Sequence, residues 1–282
     1  MNGTALYYES AGSGTPLVLI HGNTLDSRMW DDQFDVFAEH YRVLRYDMRG
    51  FGRSQLPSDT AYSPAADLKA LLHHLEVDQA YVLGLSRGGL VAVDFAIAYP
   101  EAVRSLILVD AGLRAFDWQT FGQFSESVRA TARTSGLQDA KNRWLNGPLF
   151  APALEQAEVA ERLAAMVADY LGWQWLNDEQ LDVSEQAPSD QLQHILAPTL
   201  VVIGERDIPD FQSIARLLAT GIANSELHTL MGSGTCRTWK HRQSLTAWYW
   251  DSCRDWPHRT NIAESGTEET TSKKTGTRES ST

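Results

Sequence analysis

The sequence is poor in cysteine and in positive charge, and it contains no apolar run long enough to span a bilayer. Its 282 residues include two cysteines and carry 24 Lys and Arg against 36 Asp and Glu, a net charge of −12. Two cysteines cannot form a disulfide framework, the negative charge repels nucleic acid, and no basic region followed by an apolar stretch opens the chain. We therefore predict a cytoplasmic globular protein that binds neither nucleic acid nor membranes.

Short apolar runs alternate along the chain with segments whose apolar residues recur at helical spacing. Continuous apolar runs are typical of strands that are buried on both faces of a parallel sheet. The alternation predicts an α/β fold with a mainly parallel sheet flanked by helices. The predicted strands are Pro16–His21, Arg42–Asp47, Ala80–Leu85, Val103–Asp110, Thr199–Gly204 and Glu226–Met231.

The alternation stops between residues 114 and 193, where the sequence is mostly helical in pattern and rich in tryptophan. Its clearest helix is predicted over Ala153–Tyr170. We interpret residues 114–193 as a helical lid inserted between two parts of the sheet domain, 1–113 and 194–234. Helices that pack only for stability are the alternative interpretation.

One five-residue motif, Gly84-Leu85-Ser86-Arg87-Gly88, ends a predicted buried strand and opens a predicted helix. In that context it is typical of a nucleophile elbow, a turn so sharp that side chains flanking the serine would collide with neighbouring backbone. The serine is then exposed at a helix N-terminus, where the helix dipole favours developing negative charge. We predict that Ser86 is a nucleophile; the alternative is a glycine-rich turn with a serine that caps the helix.

A loop after the first buried strand, His21-Gly22-Asn23, is a candidate partner of this turn. Nucleophilic attack by a serine creates an oxyanion that needs two backbone N–H donors. We predict the N–H groups of Asn23 and of Arg87, and we interpret His21 as structural support for the loop. A further loop, Asp47–Ser54, has a distinctive Asp-x-Arg-Gly-x-Gly-x-Ser pattern, with a solvated turn as its alternative interpretation.

In order and spacing these three motifs resemble the α/β-hydrolase fold superfamily, most closely the small lidded hydrolases similar to 3-oxoadipate enol-lactonases and meta-cleavage-product hydrolases. The resemblance spans Leu6 to Gly234. It implies a Ser-His-Asp triad whose acid follows the strand after the lid, so that Asp207 orients the histidine. Asp110, which ends the strand before the lid, is the alternative acid, and Asp210 is interpreted as a helix N-cap.

The resemblance also implies a histidine after the last strand, in a loop that reads Gly-x-Gly-His followed by Pro and Glu. Thr235 stands at that position here, and a threonine hydroxyl cannot accept a proton near neutral pH. His228 lies within the predicted last strand, and His241 reaches the site only if this loop is rebuilt. The histidine of the implied triad is therefore absent from its expected position.

The segment 235–282 differs in composition from the rest of the chain. Both cysteines and four of the nine tryptophans lie there, with 8 Lys or Arg against 6 Asp or Glu. We predict that this atypical tail is largely disordered after residue 260. A reading frame displaced by two bases at about Gly234 can encode His-Met-Pro-Asn-Met-Glu, which matches the implied loop. We hypothesise a frameshift there; a genuinely divergent C-terminus is the alternative.

Together the motifs and the resemblance predict hydrolysis of an ester, lactone or activated C–C bond of a small molecule through Ser86, impaired by the missing histidine. The alternatives are a non-catalytic protein that binds a small molecule and a cofactor-free perhydrolase. The sequence has no metal-ligand cluster and no dinucleotide motif, so it implies no metal and no cofactor. The tryptophan-rich lid suggests an apolar or aromatic substrate, but core packing explains the tryptophans equally well.

Overall fold

A computed structural model describes residues 2–234, and within them seven strands form one sheet. The order across the sheet is β1-β3-β2-β4-β5-β6-β7, and neighbouring strands are parallel except for β1 with β3. The predicted α/β class with a mainly parallel sheet is confirmed. The strands are β1 (Tyr8–Ala11), β2 (Pro16–Ile20), β3 (Arg42–Tyr46), β4 (Ala80–Leu85), β5 (Val103–Val109), β6 (Thr199–Gly204) and β7 (Ser225–Leu230).

The central strands of the sheet begin and end within one residue of the predicted runs. Strands β2, β4, β5 and β6 bury almost every side chain, as strands covered on both faces do. Strand β1 was not predicted, because it has four residues of mixed exposure and no apolar run. It pairs antiparallel with β3 at the edge of the sheet.

Helices alternate with the strands on both sides of a helical insertion. Helices α1 (Asp31–Ala38), α2 (Pro64–His74) and α3 (Arg87–Ala98) belong to the first part of the sheet domain. The insertion between β5 and β6 contains α4 (Thr120–Thr134), α5 (Leu137–Leu145), α6 (Ala151–Leu154), α7 (Ala157–Asp169) and α8 (Trp173–Leu176), and α9 (Pro209–Gly221) precedes β7. None of the helices found in residues 2–234 has the length and apolar character of a membrane span.

The predicted helix over Ala153–Tyr170 is wrong at its N-terminal end. The structure has two helices there, α6 and α7, because Gln156 adopts an extended backbone with φ −120° and ψ 110°. The apolar periodicity that continues across this break belongs to one buried surface and not to one helix. Trp144 of α5 is buried in the same insertion, with its ring near those of Phe124 and Trp175.

Candidate active site

Ser86 occupies a strained turn between β4 and α3. Its φ of 53° and ψ of −112° lie where residues with a Cβ are rarely found. Three backbone hydrogen bonds hold this geometry: the Ser86 N–H donates to Val109 O at 3.0 Å, and the Ser86 carbonyl accepts from Gly112 N–H at 2.9 Å and from Leu90 N–H at 3.1 Å. The Ser86 side chain makes no capping hydrogen bond to α3, so the alternative of an ordinary serine cap is wrong.

The glycines around Ser86 are required by close backbone approach. A Cβ at Gly84 would lie 2.3 Å from Gly88 O, and a Cβ at Gly88 would lie 2.2 Å from Ile20 O. At Gly89 a Cβ would meet Ala111 Cβ at 2.5 Å. These distances are far below van der Waals contact, and they explain why the motif has glycine on both sides of the serine.

The two residues predicted to supply the oxyanion donors line one cavity together with Ser86. Arg87 is the first residue of α3, so its N–H has no acceptor within the helix. Within residues 2–234 the Asn23 N–H donates no hydrogen bond either. Both N–H groups are therefore available to a developing negative charge, although their role as an oxyanion hole stays a prediction.

A hydrogen-bond relay connects helix α5 of the insertion to the Asn23 loop. The indole Nε1–H of Trp144 donates to Thr24 Oγ1 at 2.8 Å, and the Thr24 hydroxyl donates to Asn23 O at 2.6 Å. Thr24 has a φ of 63°, an uncommon conformation for a β-branched residue. The relay fixes the peptide next to the Asn23 N–H, and no pattern in the sequence pointed to it.

The two candidate acids converge on one backbone N–H at the carboxyl ends of β5 and β6. Gly204 N–H donates to Asp110 Oδ1 at 2.9 Å and to Asp207 Oδ2 at 3.1 Å. Both side chains are buried, and Asp110 has a φ of 43°. This geometry brings the two carboxylates together and leaves Asp207 as the predicted acid with Asp110 as its alternative.

Ser86 lies between two cavities that are lined mainly by apolar side chains. The larger has a volume of about 140 Å³ and is lined by Asn23, Ser86 and Arg87 together with Leu90, Gly112, Trp118, Phe121 and Phe211. The smaller, of about 20 Å³, is bounded by Leu25, Trp144, Leu149 and Phe150 on the side of the Asn23 loop. A serine that shares an apolar cavity with two residues whose N–H groups have no acceptor can attack a bound carbonyl.

Comparison with known proteins shows the family of the chain. A family model described as the alpha/beta hydrolase fold matches residues 15–236. The chain belongs to the α/β-hydrolase fold family. It is 30% identical over 236 residues to 3-oxoadipate enol-lactonase 2 of Acinetobacter baylyi, an alignment that covers 81% of this chain and 86% of that one.

Two solved structures of related α/β-hydrolases superpose on the chain. One is a thermophilic esterase from Thermogutta terrifontis, with 26% identity, a TM-score of 0.76 and coverage of 92% of this chain and 95% of that one. The other is Est816, an N-acyl homoserine lactone degrading enzyme, with 26% identity, a TM-score of 0.71 and coverage of 89% and 98%. The chain is a hydrolase of the family to which these lactonases and esterases belong.

His21 of this hydrolase is a buried support for the two loops that flank it. Its Nδ1–H donates to Gly22 O at 2.8 Å, and its Nε2 accepts from Met48 N–H at 2.9 Å. Burial lowers the pKa of the imidazole, so the ring is neutral with both nitrogens engaged. The geometry agrees with the structural role interpreted from the sequence.

The Asp47–Ser54 loop is likewise held by internal hydrogen bonds. The buried Asp47 carboxylate accepts from Ser27 N–H at 2.7 Å and from Arg53 N–H at 2.8 Å. The Ser54 hydroxyl donates to Asp47 O at 2.5 Å. The interpretation of this motif as a solvated turn is wrong, because its aspartate is buried and fixes two neighbouring segments.

Asp210 is not the N-cap of its own helix. Ile208 is the N-cap of α9, and Asp210 lies in the first turn. Its Oδ2 accepts from Phe121 N–H at 2.7 Å, in the first turn of α4, whose N-terminal N–H groups have no partners within that helix. The carboxylate therefore caps a lid helix from the sheet domain, a contact across 89 residues that local sequence does not encode.

Arg87 and Glu179 connect the serine turn to the segment that follows α8. The Arg87 guanidinium donates to both oxygens of the Glu179 carboxylate, at 2.5 and 2.7 Å, and the Tyr62 hydroxyl donates to the same carboxylate. Burial raises the pKa of the Glu179 carboxyl, but Arg87, with the Tyr62 hydrogen bond and the Arg129 charge, outweighs burial and holds that pKa below its ordinary range. The pair is thus ionised, and nothing in the sequence predicted it.

The remaining site predictions concern histidine. Thr235, His241 and the tail 235–282 lie outside the described residues. His228 lies on the edge strand β7, where its Nε2 is 3.4 Å from Glu226 Oε2. The structure therefore supplies no histidine partner for Ser86 from residues 2–234, where His21 is already fully engaged.

Proposed function

We propose that this hydrolase cleaves an ester, lactone or activated C–C bond of a small molecule through Ser86. Asp207 serves as the acid of the triad, and the N–H groups of Asn23 and Arg87 hold the oxyanion. The strained backbone of Ser86, exposed to a cavity that both donor residues line, carries this proposal. The predicted cytoplasmic location and the lid boundaries 114–193 are part of the proposal.

The reaction begins when Ser86 Oγ bonds to the substrate carbonyl carbon and the carbonyl π electrons move to the oxygen. The two N–H donors stabilise the charge on that oxygen. The hydroxyl proton must pass to a base and then to the leaving group, and water afterwards releases the acyl group by the same steps. We propose that this proton transfer is impaired in the present chain, since Thr235 replaces the histidine.

A fluorophosphonate probe tests the nucleophile directly, because it reacts much faster with a serine in a nucleophile turn than with an ordinary serine. We expect slow, stoichiometric labelling of the chain that disappears in Ser86→Ala and persists in Ser135→Ala, an exposed control serine. Equal labelling of the wild type and Ser86→Ala would overturn the assignment of Ser86 as the nucleophile. Re-sequencing of the gene around codon 234 tests the frameshift.

A non-catalytic binding protein is the second candidate, and Thr235 at the histidine position favours it. Under this alternative the cavity beside Ser86 holds a small molecule without cleaving it. The wild type would then bind ligand but show no labelling above that of Ser86→Ala. Labelling of Ser86 excludes this candidate.

A further inference from the structure

The larger cavity beside Ser86 has an apolar wall of three aromatic rings. The Trp118 ring centroid lies 5.0 Å from that of Phe121 and 5.4 Å from that of Phe211, and Leu90 completes the wall. The volume of about 140 Å³ is close to that of an engineered apolar cavity of about 150 Å³ that binds benzene. It has room for one six-membered ring or for a chain of about that many carbons.

The smaller cavity sets the size of the second substituent. Its volume of about 20 Å³ is little more than one water-sized sphere. Leu25, Leu149 and Phe150 bound it, so a methyl group fits better than a water molecule. A carbonyl attacked by Ser86 therefore has one large and one small apolar neighbour.

The positive charge of Arg87 beside the larger cavity is already neutralised by an ion pair. Arg87 is the one residue with an ionisable cationic side chain among the described residues lining the larger cavity. Its guanidinium donates to both oxygens of Glu179, so it is not a free partner for a substrate carboxylate. Placing an unpaired carboxylate in an apolar cavity is strongly unfavourable.

We propose that the substrate is a neutral carboxylic ester with an apolar group of about five or six carbons on one side of the carbonyl and one or two carbons on the other. The Arg87–Glu179 pair makes the site reject carboxylate-bearing substrates. The reaction in this statement rests on the proposed function, whereas the cavity and its charge preference do not.

Binding measurements on Ser86→Ala test the ligand class separately from the reaction, because binding to this variant requires no cleavage. Methyl hexanoate and monomethyl adipate form a matched pair, since they differ by a terminal methyl group against a carboxylate. We expect calorimetric titration of the full chain to give a dissociation constant at least about tenfold lower for methyl hexanoate. Methyl dodecanoate, which is too long for the cavity, should bind less tightly than methyl hexanoate.

Gly112 offers a way to fill the cavity without disturbing the turn. A Cβ at this position would lie 3.5 Å from Ser86 O, 3.6 Å from Leu90 Cβ and 3.7 Å from the Trp118 ring, all ordinary contacts. Gly112→Val in the Ser86→Ala background should therefore weaken methyl hexanoate at least about tenfold, since the cavity loses most of its room. Gly112→Ala should have a smaller effect, and the melting temperature should show that both variants fold.

Glu179→Gln tests the charge preference, because it leaves the Arg87 cation without its counter-ion. We expect monomethyl adipate to gain at least about tenfold in affinity relative to methyl hexanoate. Glu155→Gln is the matched control: Glu155 also pairs with an arginine, Arg206, at 2.6 Å, but Arg206 does not line the cavity, whereas Arg87 does. It should leave the preference unchanged.

Equal or tighter binding of monomethyl adipate to Ser86→Ala would overturn the proposal, and so would methyl hexanoate binding that Gly112→Val leaves unchanged. If the binding results hold but Ser86 of the wild type is not labelled, the proposed function fails and the ligand class stands. If Ser86 is labelled but the ligand preference is reversed, only the substrate class fails.

Discussion

The backbone at Ser86 stores strain that folding does not require. Its φ of 53° and ψ of −112° cost a residue with a Cβ about 1–3 kcal/mol, whereas glycine reaches this region freely and loses about 0.5–1 kcal/mol of backbone entropy. We predict that Ser86→Gly is more stable than Ser86→Ala by about 1 kcal/mol in the free energy of unfolding. Urea denaturation of both variants measures this, and equal values would contradict a strained turn.

The burial of His21, again at the scale of one residue, predicts that the free energy of unfolding depends on pH. Burial lowers its pKa from the ordinary value of 6.5, so the unfolded chain binds a proton that the folded chain does not bind as the pH falls below this value. The free energy of unfolding should therefore decrease as the pH falls from about 6.5 towards 5. Above about pH 6.5 the stabilising contribution of the buried neutral ring is fully present.

Urea denaturation at pH 7.5 and pH 5.5 checks this expectation. The variant His21→Gln should be less stable than the wild type at pH 7.5, because it loses the ring that accepts from Met48 N–H. It should also lose the part of the pH dependence that His21 contributes. A wild-type stability that rises as the pH falls to 5.5 would contradict the buried neutral ring.

At the scale of elements, Asp210 joins helix α4, the first helix of the insertion, to the sheet domain through a hydrogen bond. Removing its carboxylate leaves the Phe121 N–H in the first turn of α4 without its acceptor. We predict that Asp210→Ala costs about 1 kcal/mol of stability, with amide hydrogen exchange at Phe121 about tenfold faster. Asp210→Asn, which keeps an acceptor oxygen, should show a smaller change, and unaltered exchange in Asp210→Ala would count against the cap.

The relay from α5 to the Asn23 loop yields a second prediction at this scale. Thr24→Val preserves shape but leaves the buried Trp144 N–H unpaired, which costs about 1–3 kcal/mol. Labelling of Ser86 should also slow, because the Asn23 peptide is no longer fixed. Thr24→Ser should restore the labelling rate. If valine and serine behave alike, the hydroxyl has no positioning role.

The sequence predicted those features that depend on neighbours in the chain. The buried strands and the Ser86 turn follow from apolar runs and from glycines within five residues, so they were found correctly. Strand β1 escaped because a partly exposed edge strand has no apolar run. The contacts of Asp210, Trp144 and Glu179 join residues about 90 to 120 positions apart, and no local pattern encodes such pairs.

At the scale of the whole molecule, we predict that the reading frame after Gly234 decides both activity and stability. Strand β7 lies at the edge of the sheet described by residues 2–234, and Leu227 and Met231 are 40% and 74% exposed. We predict that a frame-restored chain, with histidine at position 235, labels at Ser86 roughly 10³-fold faster or more. It should also melt at a higher temperature and aggregate less.

Side-by-side esterase assays and thermal melting of the two purified chains measure these differences. The double change of Ser86→Ala in the frame-restored chain is the control for background hydrolysis. Equal activity of the two chains would mean that a residue other than one at position 235 supplies the base, and the interpretation of Thr235 would then be wrong.

The hydrogen bonds that join the inserted helices to residues outside the insertion have a consequence for engineering. Trp144 depends on Thr24, and the start of α4 depends on Asp210, although neither partner belongs to the inserted segment. The inserted segment is therefore not independent of the sheet domain. A chimera that carries this insertion on a related scaffold must also carry threonine and aspartate at the equivalent scaffold positions. Without them the inserted helices lose both hydrogen bonds to the sheet domain.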